Sequence, residues 1–298
     1  MTEQQETATV SKPKILVQLD TDDHASTFDS VVAMDAGVEH LLRQAPVTPD
    51  NVREHVYGAM FTRGGDDLKR TAIFIGGSDV AAGERLLAAV RDTFFGPVRV
   101  SVMIDSGGAN TTAAAAVLAA GRHLQLEGAT ALVLAATGPV GQRVVRLLAR
   151  QGARVRVASR NVSRAEQVSA SVARAVEGAM LTAHCTGSPR ELKDALSGAQ
   201  LVIAAGAAGV QLLPREARDT SGDLAVAIDL NAVPPVGIEG VEAADRGARH
   251  DGQICYGAIG VGAAKMKIHK AAVRSLFETN DRVLDAEEIY KIGEALSP

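Results

Sequence analysis

A glycine-containing turn between a predicted strand and a predicted helix is the clearest candidate for binding chemistry. Residues 136–141 read A-T-G-P-V-G, which matches the dinucleotide fingerprint G-x-G-x-x-G except that Ala136 replaces the first glycine. In such turns the second glycine lets the backbone approach a pyrophosphate, and the third lets the helix pack closely on its strand. A purely structural turn is the alternative, which Ala136 favours because a position with positive φ resists alanine. Four residues at the helix start become cofactor-binding candidates: Thr137, Gly138, Pro139 and Val140.

The residues after the next predicted strand indicate which dinucleotide binds. About 20 residues beyond the turn, NAD enzymes carry an Asp or Glu for the ribose 2′-hydroxyl. This sequence instead has Ser159, Arg160 and, a little later, Arg164. Hydroxyl and guanidinium groups hydrogen-bond and neutralise a 2′-phosphate, whereas a carboxylate would repel it. The sequence therefore predicts NADP, with solvated arginines after a strand as the alternative.

Two further loops follow predicted strands of the same lobe, at the end where open α/β sheets bind cofactors. One begins at Ala204 and contains Gly206, and the other ends with Asn231 and Ala232. Small residues in these loops would admit adenosine and nicotinamide. We therefore add these four residues as cofactor-binding candidates, although glycines that serve only packing are an alternative.

Composition argues against several other classes of function. A net charge of −4, 3% aromatic residues and the absence of Trp disfavour a nucleic-acid-binding surface. No apolar run approaches the roughly 20 residues that span a bilayer, and the polar residues 1–12 lack the apolar core of a signal peptide. We therefore expect a cytoplasmic protein with a disordered N-terminus and no membrane partner. Cys185, Cys255 and the scattered histidines lack metal-ligand spacing, so no metal site is predicted.

Elements of an α/β fold must position these candidates. Short β-rich runs alternate with helical periodicity, which predicts mostly parallel strands, and 298 residues favour two lobes. The first lobe has predicted strands at 14–20, 71–77 and 98–105 and helices at 27–36, 49–58 and 80–95. An Ala-rich helix at 110–124 leads into the second lobe, with strands at 129–135, 153–159, 201–206 and 224–230 and a helix at 140–150. Capping boxes predict helix starts at Ser163 and Ser188, and the last helices are predicted at 263–278 and 285–296.

Several short strings recur in one order along the chain and together carry a family resemblance. They include STFD at 26–29, TRGG at 62–65, TAIFIGG at 71–77, DSGGANTTAAA at 105–115, ATGPVG, DLNAVPPVGIEG and GAIGVGAAKMKIH at 257–269. From Lys14 to the C-terminus the sequence resembles the methylotroph-type NADP-dependent methylene-tetrahydromethanopterin dehydrogenases. The resemblance implies a fold similar to the bifunctional methylene-tetrahydrofolate dehydrogenases, with a Rossmann-type NADP domain. It also implies a homo-oligomer, and some members of the family accept NAD as well.

The implied reaction oxidises methylene-tetrahydromethanopterin to the methenyl cation and reduces NADP, as a step of one-carbon metabolism in formaldehyde oxidation. The pterin nitrogens assist hydride loss, so the protein must align the reactants and manage the positive charge that develops. Carboxylates are therefore expected near the pterin. Asp29 matches the family's STFD motif and is the leading catalytic candidate, although a helix start alone would favour an Asp there. Asp20 and Asp22 are the next candidates for this role, and the alternative is that they are solvated loop residues.

Lys265 resembles the family's active-site lysine, which would bind the pterin or pair with Asp29. It stands among small residues at the predicted start of a helix, the unfavourable end for a cation, and a surface lysine is the alternative. Four polar residues between the lobes could bind the pterin or the nicotinamide carboxamide: Asp105, Asn110, Thr111 and Thr112. Thr111 could instead cap the Ala-rich helix.

The predicted domains are a disordered segment 1–12, a pterin substrate domain from 13–124 with 263–298, and an NADP-binding domain at 125–262. Three rival functions stay open at this stage. The same chemistry on tetrahydrofolate is the nearest, because both donors share the reacting ring. A shikimate-type dehydrogenase also has two lobes with a Lys and an Asp, but no further string supports it. A non-catalytic NADP sensor would not need the STFD and TRGG motifs.

Overall fold

The computed structural model describes residues 11–296, which form two compact units. Unit 1 comprises residues 11–106 and 272–283, and unit 2 comprises 107–271 and 284–296. Most of the predicted disordered N-terminus, residues 1–10, lies outside the described residues. Lys12 is described, and its ammonium forms an ion pair with Asp67 at 2.9 Å.

Unit 1 is built on a five-stranded sheet with the order β12-β4-β3-β1-β2. The strands are β1 (Ile15–Asp20), β2 (His40–Gln44), β3 (Thr71–Gly76), β4 (Ser101–Ile104) and β12 (Val283–Leu284). β1 runs parallel to β2 and β3, and β3 runs parallel to β4. The three strands predicted in this lobe are confirmed. The edge strands β2 and β12 were not predicted, because HLLRQ and the two residues VL show no alternating pattern.

Three α-helices connect the strands of unit 1: α1 (Thr27–Asp35), α2 (Val52–Phe61) and α3 (Val80–Thr93). Apolar side chains of α2 and α3 pack on one face of the sheet, where Val56, Met60, Leu86 and Val90 meet Ile73 and Ile75. Ser26 caps α1 and Asp79 caps α3, each accepting a backbone N–H from the first helical turn.

Unit 2 is built on a seven-stranded sheet with the order β10-β11-β9-β8-β5-β6-β7. The strands are β5 (Thr130–Leu134), β6 (Arg154–Ser159), β7 (Met180–Cys185), β8 (Leu201–Ala204), β9 (Val226–Asp229), β10 (Arg246–His250) and β11 (Gln253–Tyr256). Only β10 is antiparallel to its neighbour among the paired strands described here. The four strands predicted in this lobe are confirmed as β5, β6, β8 and β9. β7 and β10 were not predicted because they are partly exposed and contain few apolar residues in sequence, and β11 was not predicted because four residues, QICY, are too few to show a period.

The remaining helices are α4 (Ala109–Gly121), α5 (Pro139–Arg150), α6 (Val162–Ala175), α7 (Pro189–Leu196), α8 (Arg215–Asp219), α9 (Ala258–Ser275) and α10 (Ala286–Ala295). Ser188 caps α7 as predicted. The prediction of Ser163 as a cap is wrong, because the Asn161 side chain accepts the Arg164 N–H and begins α6 two residues earlier. α9 begins earlier than predicted, at glycines that pack on backbone: a Cβ on Gly257 would clash with the carbonyls of Glu242 and Ala243.

Helix packing assigns the chain's last part to unit 2. Gly293 leaves no room for a side chain between α10 and Leu118 of α4, and Ile268 of α9 lies against the same glycine. α4, residues 258–271 of α9 and α10 therefore belong to unit 2, whereas the sequence placed α4, α10 and α9 from residue 263 with the substrate domain. The functional division into substrate and cofactor domains stays a prediction. Within residues 11–296, no helix has the length and hydropathy needed to cross a membrane.

Candidate active site

The strand order of unit 1 creates a crevice where ligands bind in open parallel sheets. From β1 the chain continues to β2 on one side, and β3 then pairs with β1 on the other side. Such a reversal opens a crevice at the carboxyl ends of the two central strands. Asp20 ends β1 directly opposite Gly76, which ends β3.

Two carboxylates converge on that crevice. A Cβ built on Gly76 would lie 3.0 Å from Oδ2 of Asp20 and 3.4 Å from Oδ2 of Asp29. Asp20 is fully buried, and its two oxygens accept the backbone N–H groups of Asp22 (3.1 Å) and Ser26 (2.9 Å). The structure thus brings together the two carboxylates that the sequence predicted, around a glycine that leaves the space between them open.

The first turn of α1 is held by a residue that sequence reasoning missed. Gln18 is buried in β1; its Nε2 donates to the carbonyl of Ser26 (3.3 Å), and its Oε1 accepts from the Ser30 hydroxyl (2.9 Å). Ser26 Oγ in turn accepts the N–H of Asp29 at 3.2 Å. A lone amide inside the apolar strand ILVQLD was the available signal.

Two other predicted aspartates have different surroundings in unit 1. Asp22 accepts the N–H (3.0 Å) and the hydroxyl (2.9 Å) of Ser78, which ties the loop after β1 to the loop after β3. Asp105 is buried directly after β4, with its N–H donated to the carbonyl of Ile75 (3.1 Å). It was expected in a segment between the lobes and lies instead at the carboxyl edge of this sheet.

The fingerprint turn of unit 2 lies at the corresponding position of the second sheet. β5 has β6 on one side and β8 on the other, so the order reverses at the carboxyl end of β5. Gly138 caps α5, and a Cβ there would find only ordinary contacts at 3.5 Å and beyond. A Cβ on Gly141 would lie 2.7 Å from the Ala135 carbonyl oxygen, so this glycine is required for packing.

The argument that Ala136 favours a purely structural turn does not hold, because Ala136 is not the residue with positive φ. The residue with positive φ is Ala135, at 53°. Ala136 is fully buried and donates its N–H to the carbonyl of Ala158 at 2.9 Å. The alanine in the fingerprint is therefore compatible with the turn, and the strain lies one residue earlier.

A cavity of about 540 Å³ opens at the carboxyl ends of β5, β6 and β8 and contains the predicted 2′-phosphate residues. Two guanidinium groups line it, and none of the described lining residues is acidic, so the cavity is electrostatically suited to a phosphate. A Cβ on Gly206 would lie 2.7 Å from Cδ1 of Leu212, so a side chain at this position would require Leu212 to move. The predicted lining residues are Thr137, Ser159, Arg160, Arg164 and Gly206, and those missed are Ala135, Asn161, Thr186, Ala207, Val210 and Leu212.

Other cofactor candidates lie outside this cavity. Ala204 is fully buried inside β8, and Ala232 is exposed. The buried Asn231 organises its own loop: its Oδ1 accepts the Val233 N–H (2.8 Å), and its Nδ2 donates to the Pro235 carbonyl (3.1 Å). Burial raises the pKa of Asp229, opposed by the backbone N–H groups of Ile238 and Asn231 that the carboxylate accepts.

Lys265 lies beside the start of α4. It is the eighth residue of α9, not its first turn, so the argument from an unfavourable helix end does not hold. A side chain on Gly108, the α4 N-cap, would collide with Nζ of Lys265. The hydroxyls of Thr111 (3.4 Å) and Thr112 (2.6 Å) both donate to the Gly108 carbonyl, so neither is the cap of the helix.

Among the described residues, three carboxylates approach one another closely enough to hold a metal ion, within 4.8 Å. Asp285 and Glu288 form the capping box of α10, and Glu287 is paired with Arg146 and Arg150. Burial and the neighbouring Asp285 raise the pKa of Glu287. Helix capping and ion pairs explain the group, and the absence of a metal site remains a prediction.

Comparisons with known proteins bear on both units. A family described as methylene-tetrahydromethanopterin dehydrogenase, N-terminal, matches residues 27–107, and a family described as NAD(P)H-binding matches residues 135–280. The chain is 44% identical over 288 residues to the bifunctional protein MdtA of Methylorubrum extorquens, covering 95% of this chain and 99% of that protein. It is 29% identical over 287 residues to the NAD(P)-dependent methylenetetrahydromethanopterin dehydrogenase of the same organism, covering 91% and 94%.

Two solved structures show the same fold. A chorismate mutase/shikimate 5-dehydrogenase fusion protein from Clostridium acetobutylicum has a TM-score of 0.54 at 13% identity, covering 96% of this chain and 97% of that one. A 5-ketofructose reductase of Gluconobacter sp. strain CHM43 has a TM-score of 0.51 at 13% identity, covering 96% and 99%. At this level of identity the likeness extends to the fold alone.

Proposed function

This chain belongs to the family of methylene-tetrahydromethanopterin dehydrogenases, and from that premise we propose that it oxidises methylene-tetrahydromethanopterin to the methenyl form with NADP. The observation that carries the proposal is the basic cavity after β6, with Ser159, Arg160 and Arg164 and no acidic lining residue. A 2′-phosphate needs such surroundings, whereas the ribose diol of NAD is held by a carboxylate. NAD binds more weakly in this proposal.

NADP, when bound, supplies the acceptor for the hydride. The chain's own residues bind and orient the reactants, and they stabilise the positive charge that develops. The start of α5 after Pro139 offers backbone N–H groups to the pyrophosphate, and the space at Gly138 allows close approach. The carboxylates of Asp20 and Asp29 stabilise the positive charge that develops on the N–C–N unit as the methylene carbon loses its hydride.

We assign Asp29 and Lys265 as catalytic residues, with Asp20, Asp105, Asn110, Thr111 and Thr112 in substrate or nicotinamide binding. Unit 1 is the proposed pterin-binding unit, since its crevice carries the carboxylates, and unit 2 binds the cofactor. Asn231 supports the cofactor loop. We further propose a cytoplasmic homo-oligomer, which rests on the family resemblance and is tested by sedimentation velocity and cell fractionation.

The decisive assay measures turnover with four pairs of reactants: methylene-tetrahydromethanopterin or methylene-tetrahydrofolate, each with NADP or NAD. We expect the highest kcat/KM with the methanopterin donor and NADP. Activity with neither pterin would refute the proposal, and a clear preference for the folate donor would replace the substrate. Full activity after exhaustive chelation is also expected, because hydride loss from this carbon needs no Lewis acid.

The cofactor preference is tested by Arg160→Ala. Loss of a hydrogen bond to a charged phosphate should weaken NADP binding by about 1.5 to 3 kcal/mol and leave NAD binding nearly unchanged. Arg154→Ala is the matched control, since Arg154 begins β6, the strand that Arg160 follows, and does not line the cavity. An equal loss for both cofactors would remove Arg160 from 2′-phosphate recognition.

The catalytic assignment is tested by Asp29→Asn and Lys265→Ala, singly and together. Each single variant should lower kcat/KM by at least about tenfold, while NADP affinity barely changes. Strong non-additivity in the double variant would show that the two residues act as a pair, and additivity would show separate roles. Near-normal kinetics in both single variants, with folding intact, would mean that the catalytic groups lie elsewhere.

A further inference from the structure

A small cavity in unit 2 shares no residue with the candidate site described above. It has a volume of about 140 Å³ and is lined by residues of α4, α9, α10, β10 and β11. None of these residues lines the NADP cavity, and none is a site residue predicted from the sequence. A cavity of roughly 150 Å³ holds one benzene ring, whereas pockets for drug-sized ligands have about 300 Å³ or more. The cavity is therefore too small for a dinucleotide or a pterin.

Glycines that pack on neighbouring elements fix the walls of this cavity. A Cβ on Gly293 of α10 would lie 2.5 Å from Cδ1 of Leu118 in α4. A Cβ on Gly260 of α9 would clash with the carbonyl of Asp245 and would lie 3.3 Å from Cα of Arg246. The close approach at Gly260 brings the backbone of Arg246 beside the first turn of α9, at the edge of the cavity.

The inner surface of the cavity is mostly apolar. Ala115, Val261 and Ile268 are buried around it. Tyr256 also lines it and is buried, and its hydroxyl is hydrogen-bonded to Nε2 of His123 at 2.8 Å. An apolar group gains free energy by leaving water for such a surface, whereas a bare ion does not. The lining therefore favours a ligand with a compact apolar body.

The charged residues of the lining are all cations: Arg122, Arg246 and Lys267, with no carboxylate among the described lining residues. Arg122 has a further contact within the chain. Arg246 and Lys267 are exposed, and neither side chain forms an ion pair or a hydrogen bond with another residue of 11–296. These two cations can therefore meet a ligand at the rim of the cavity.

The positive charge also acts on the wall of the cavity. Burial, together with the charges of Arg122 and Arg249, lowers the pKa of His123, the hydrogen-bond partner of Tyr256. Surroundings that disfavour a cation favour an anion at the same place. The electrostatics of this wall therefore suit a carboxylate.

We propose that this cavity binds a small organic anion, with its compact apolar body among the aliphatic side chains and its carboxylate at Arg246 and Lys267. Volume, lining and charge each select for such a ligand. Binding does not depend on the proposed function, because neither reactant of that reaction fits the cavity. An anion that binds only the folded protein also stabilises it against unfolding.

The probe is benzoate, which has one ring and one carboxylate. Its dissociation constant is measured by isothermal titration calorimetry, and thermal unfolding is followed in parallel, both at constant ionic strength so that general screening does not change. Benzyl alcohol has the ring without the charge, and inorganic phosphate has charge without the ring. We expect benzoate to bind at one site and to raise the unfolding temperature. Each comparison compound should bind at least about fivefold more weakly.

Variants locate the binding in this cavity. Arg246→Met and Lys267→Met should each weaken benzoate binding by about two- to fivefold, as expected for an exposed ion pair, and the double variant by about fivefold or more. Arg249→Met is the matched control, since Arg249 belongs to the same strand and does not line the cavity. Ala264→Leu keeps all three cations and fills the space, so it should abolish binding.

Several results would overturn the proposal. Absence of benzoate binding to the wild-type protein, or equal affinity in the wild type and the double variant, would show that these cations hold no carboxylate. Equal binding of benzyl alcohol or of phosphate would show that the charge or the apolar lining contributes nothing. A loss of benzoate binding in Arg160→Ala would place the anion in the NADP cavity instead. If Ala264→Leu fails to fold, the double variant and Arg249→Met decide the matter.

Discussion

Ala135 has a backbone conformation that alanine rarely adopts, at the turn where the cofactor is expected. Its φ of 53° lies in the left-handed region, where the Cβ of an L-residue crowds the backbone. The turn is held in place from both sides, since Gly138 N–H donates to the Ala135 carbonyl (3.1 Å) and Ala136 N–H donates to Ala158 (2.9 Å). The conformation is therefore imposed by the surrounding turn.

Ala135→Gly should raise the free energy of unfolding by about 1 kcal/mol, because glycine adopts this φ without strain. Ala136→Gly is the matched control: the residue is buried with an ordinary backbone, so losing its methyl should lower stability by about 0.5 to 1 kcal/mol. Urea unfolding of both variants measures the difference. The opposite order of stability would place the strain at Ala136.

Arg218 is a fully buried arginine that the sequence did not single out. Its guanidinium donates to the carbonyl of Glu239 (3.1 Å) and to the carboxylate of Asp251 (3.2 Å), and Gly240 lies against it with a φ of 82°. Any Cβ at Gly240 would lie 3.1 Å from the guanidinium. The side chain thus ties α8 to the 239–240 turn and to the β10–β11 hairpin.

Arg218→Met should lower the free energy of unfolding by about 1.5 to 3 kcal/mol, because the fully buried guanidinium loses its hydrogen bonds to the Glu239 carbonyl and to the Asp251 carboxylate. Arg215→Met is the control. It removes an exposed arginine that binds the same Asp251 carboxylate (3.1 Å) and should cost about 1 kcal/mol or less. Equal effects in denaturant titrations would mean that burial of Arg218 contributes nothing.

At the scale of elements, the two glycines of the fingerprint have separable roles. Gly141 allows α5 to approach the turn after β5, where a Cβ would lie 2.7 Å from the Ala135 oxygen and from the Ala136 Cα. Gly138 has space for a methyl group in the protein by itself. Gly141 is therefore needed for helix packing, whereas Gly138 leaves room for a ligand.

Gly141→Ala should destabilise the protein by about 1 to 3 kcal/mol through overpacking and should also weaken NADP binding, because α5 must shift. Gly138→Ala should leave the unfolding midpoint nearly unchanged and still weaken NADP binding, since the added methyl occupies the approach of the pyrophosphate. Thermal unfolding and NADP titration together test this. Unchanged NADP affinity in Gly138→Ala would contradict pyrophosphate binding at this turn.

At the scale of the whole molecule, histidines in unit 2 couple stability to pH. Burial, together with the charges of Arg122 and Arg249, lowers the pKa of His123, whose Nε2 is hydrogen-bonded to the Tyr256 hydroxyl at 2.8 Å. Burial also lowers the pKa of His184. The unfolded chain therefore binds protons that the folded protein does not, at pH values below the ordinary histidine pKa of 6.5.

The contribution of these histidines to the free energy of unfolding is fully present above pH 6.5. It is lost as the pH falls from 6.5 through their lowered pKa values. The free energy of unfolding should therefore decrease between about pH 8 and about pH 5, and the decrease should be smaller in His123→Gln and smallest when His184→Gln is added. The effect of His123 alone is small because this residue is only partly desolvated. An identical pH profile in the double variant would contradict the expectation, and NMR titration of the two rings measures the pKa values directly.

Local patterns determined much of this protein from the sequence alone. The parallel strands β1, β3, β4, β5, β8 and β9 were predicted because buried strands carry nearly continuous apolar runs, and β6 was predicted because its valines alternate with arginines. The fingerprint turn and the arginines after β6 were predicted because a strand, a turn and a helix place them within a short segment of chain. A family resemblance over nearly the whole chain added the substrate class and the catalytic candidates.

Features that depend on contacts between distant segments could be known only from the tertiary structure. The edge strands β2, β7 and β10 exist because a neighbouring strand supplies their hydrogen bonds, and their own residues show no clear period. Asp20 and Asp29 face Gly76, Lys265 lies on Gly108, and Asn110 meets Arg143, each through packing between elements. The position of φ strain at Ala135, one residue before the altered glycine, likewise follows from hydrogen bonds to neighbouring segments. Site residues could be predicted where they lie close together in the sequence, and not where folding brings distant segments together.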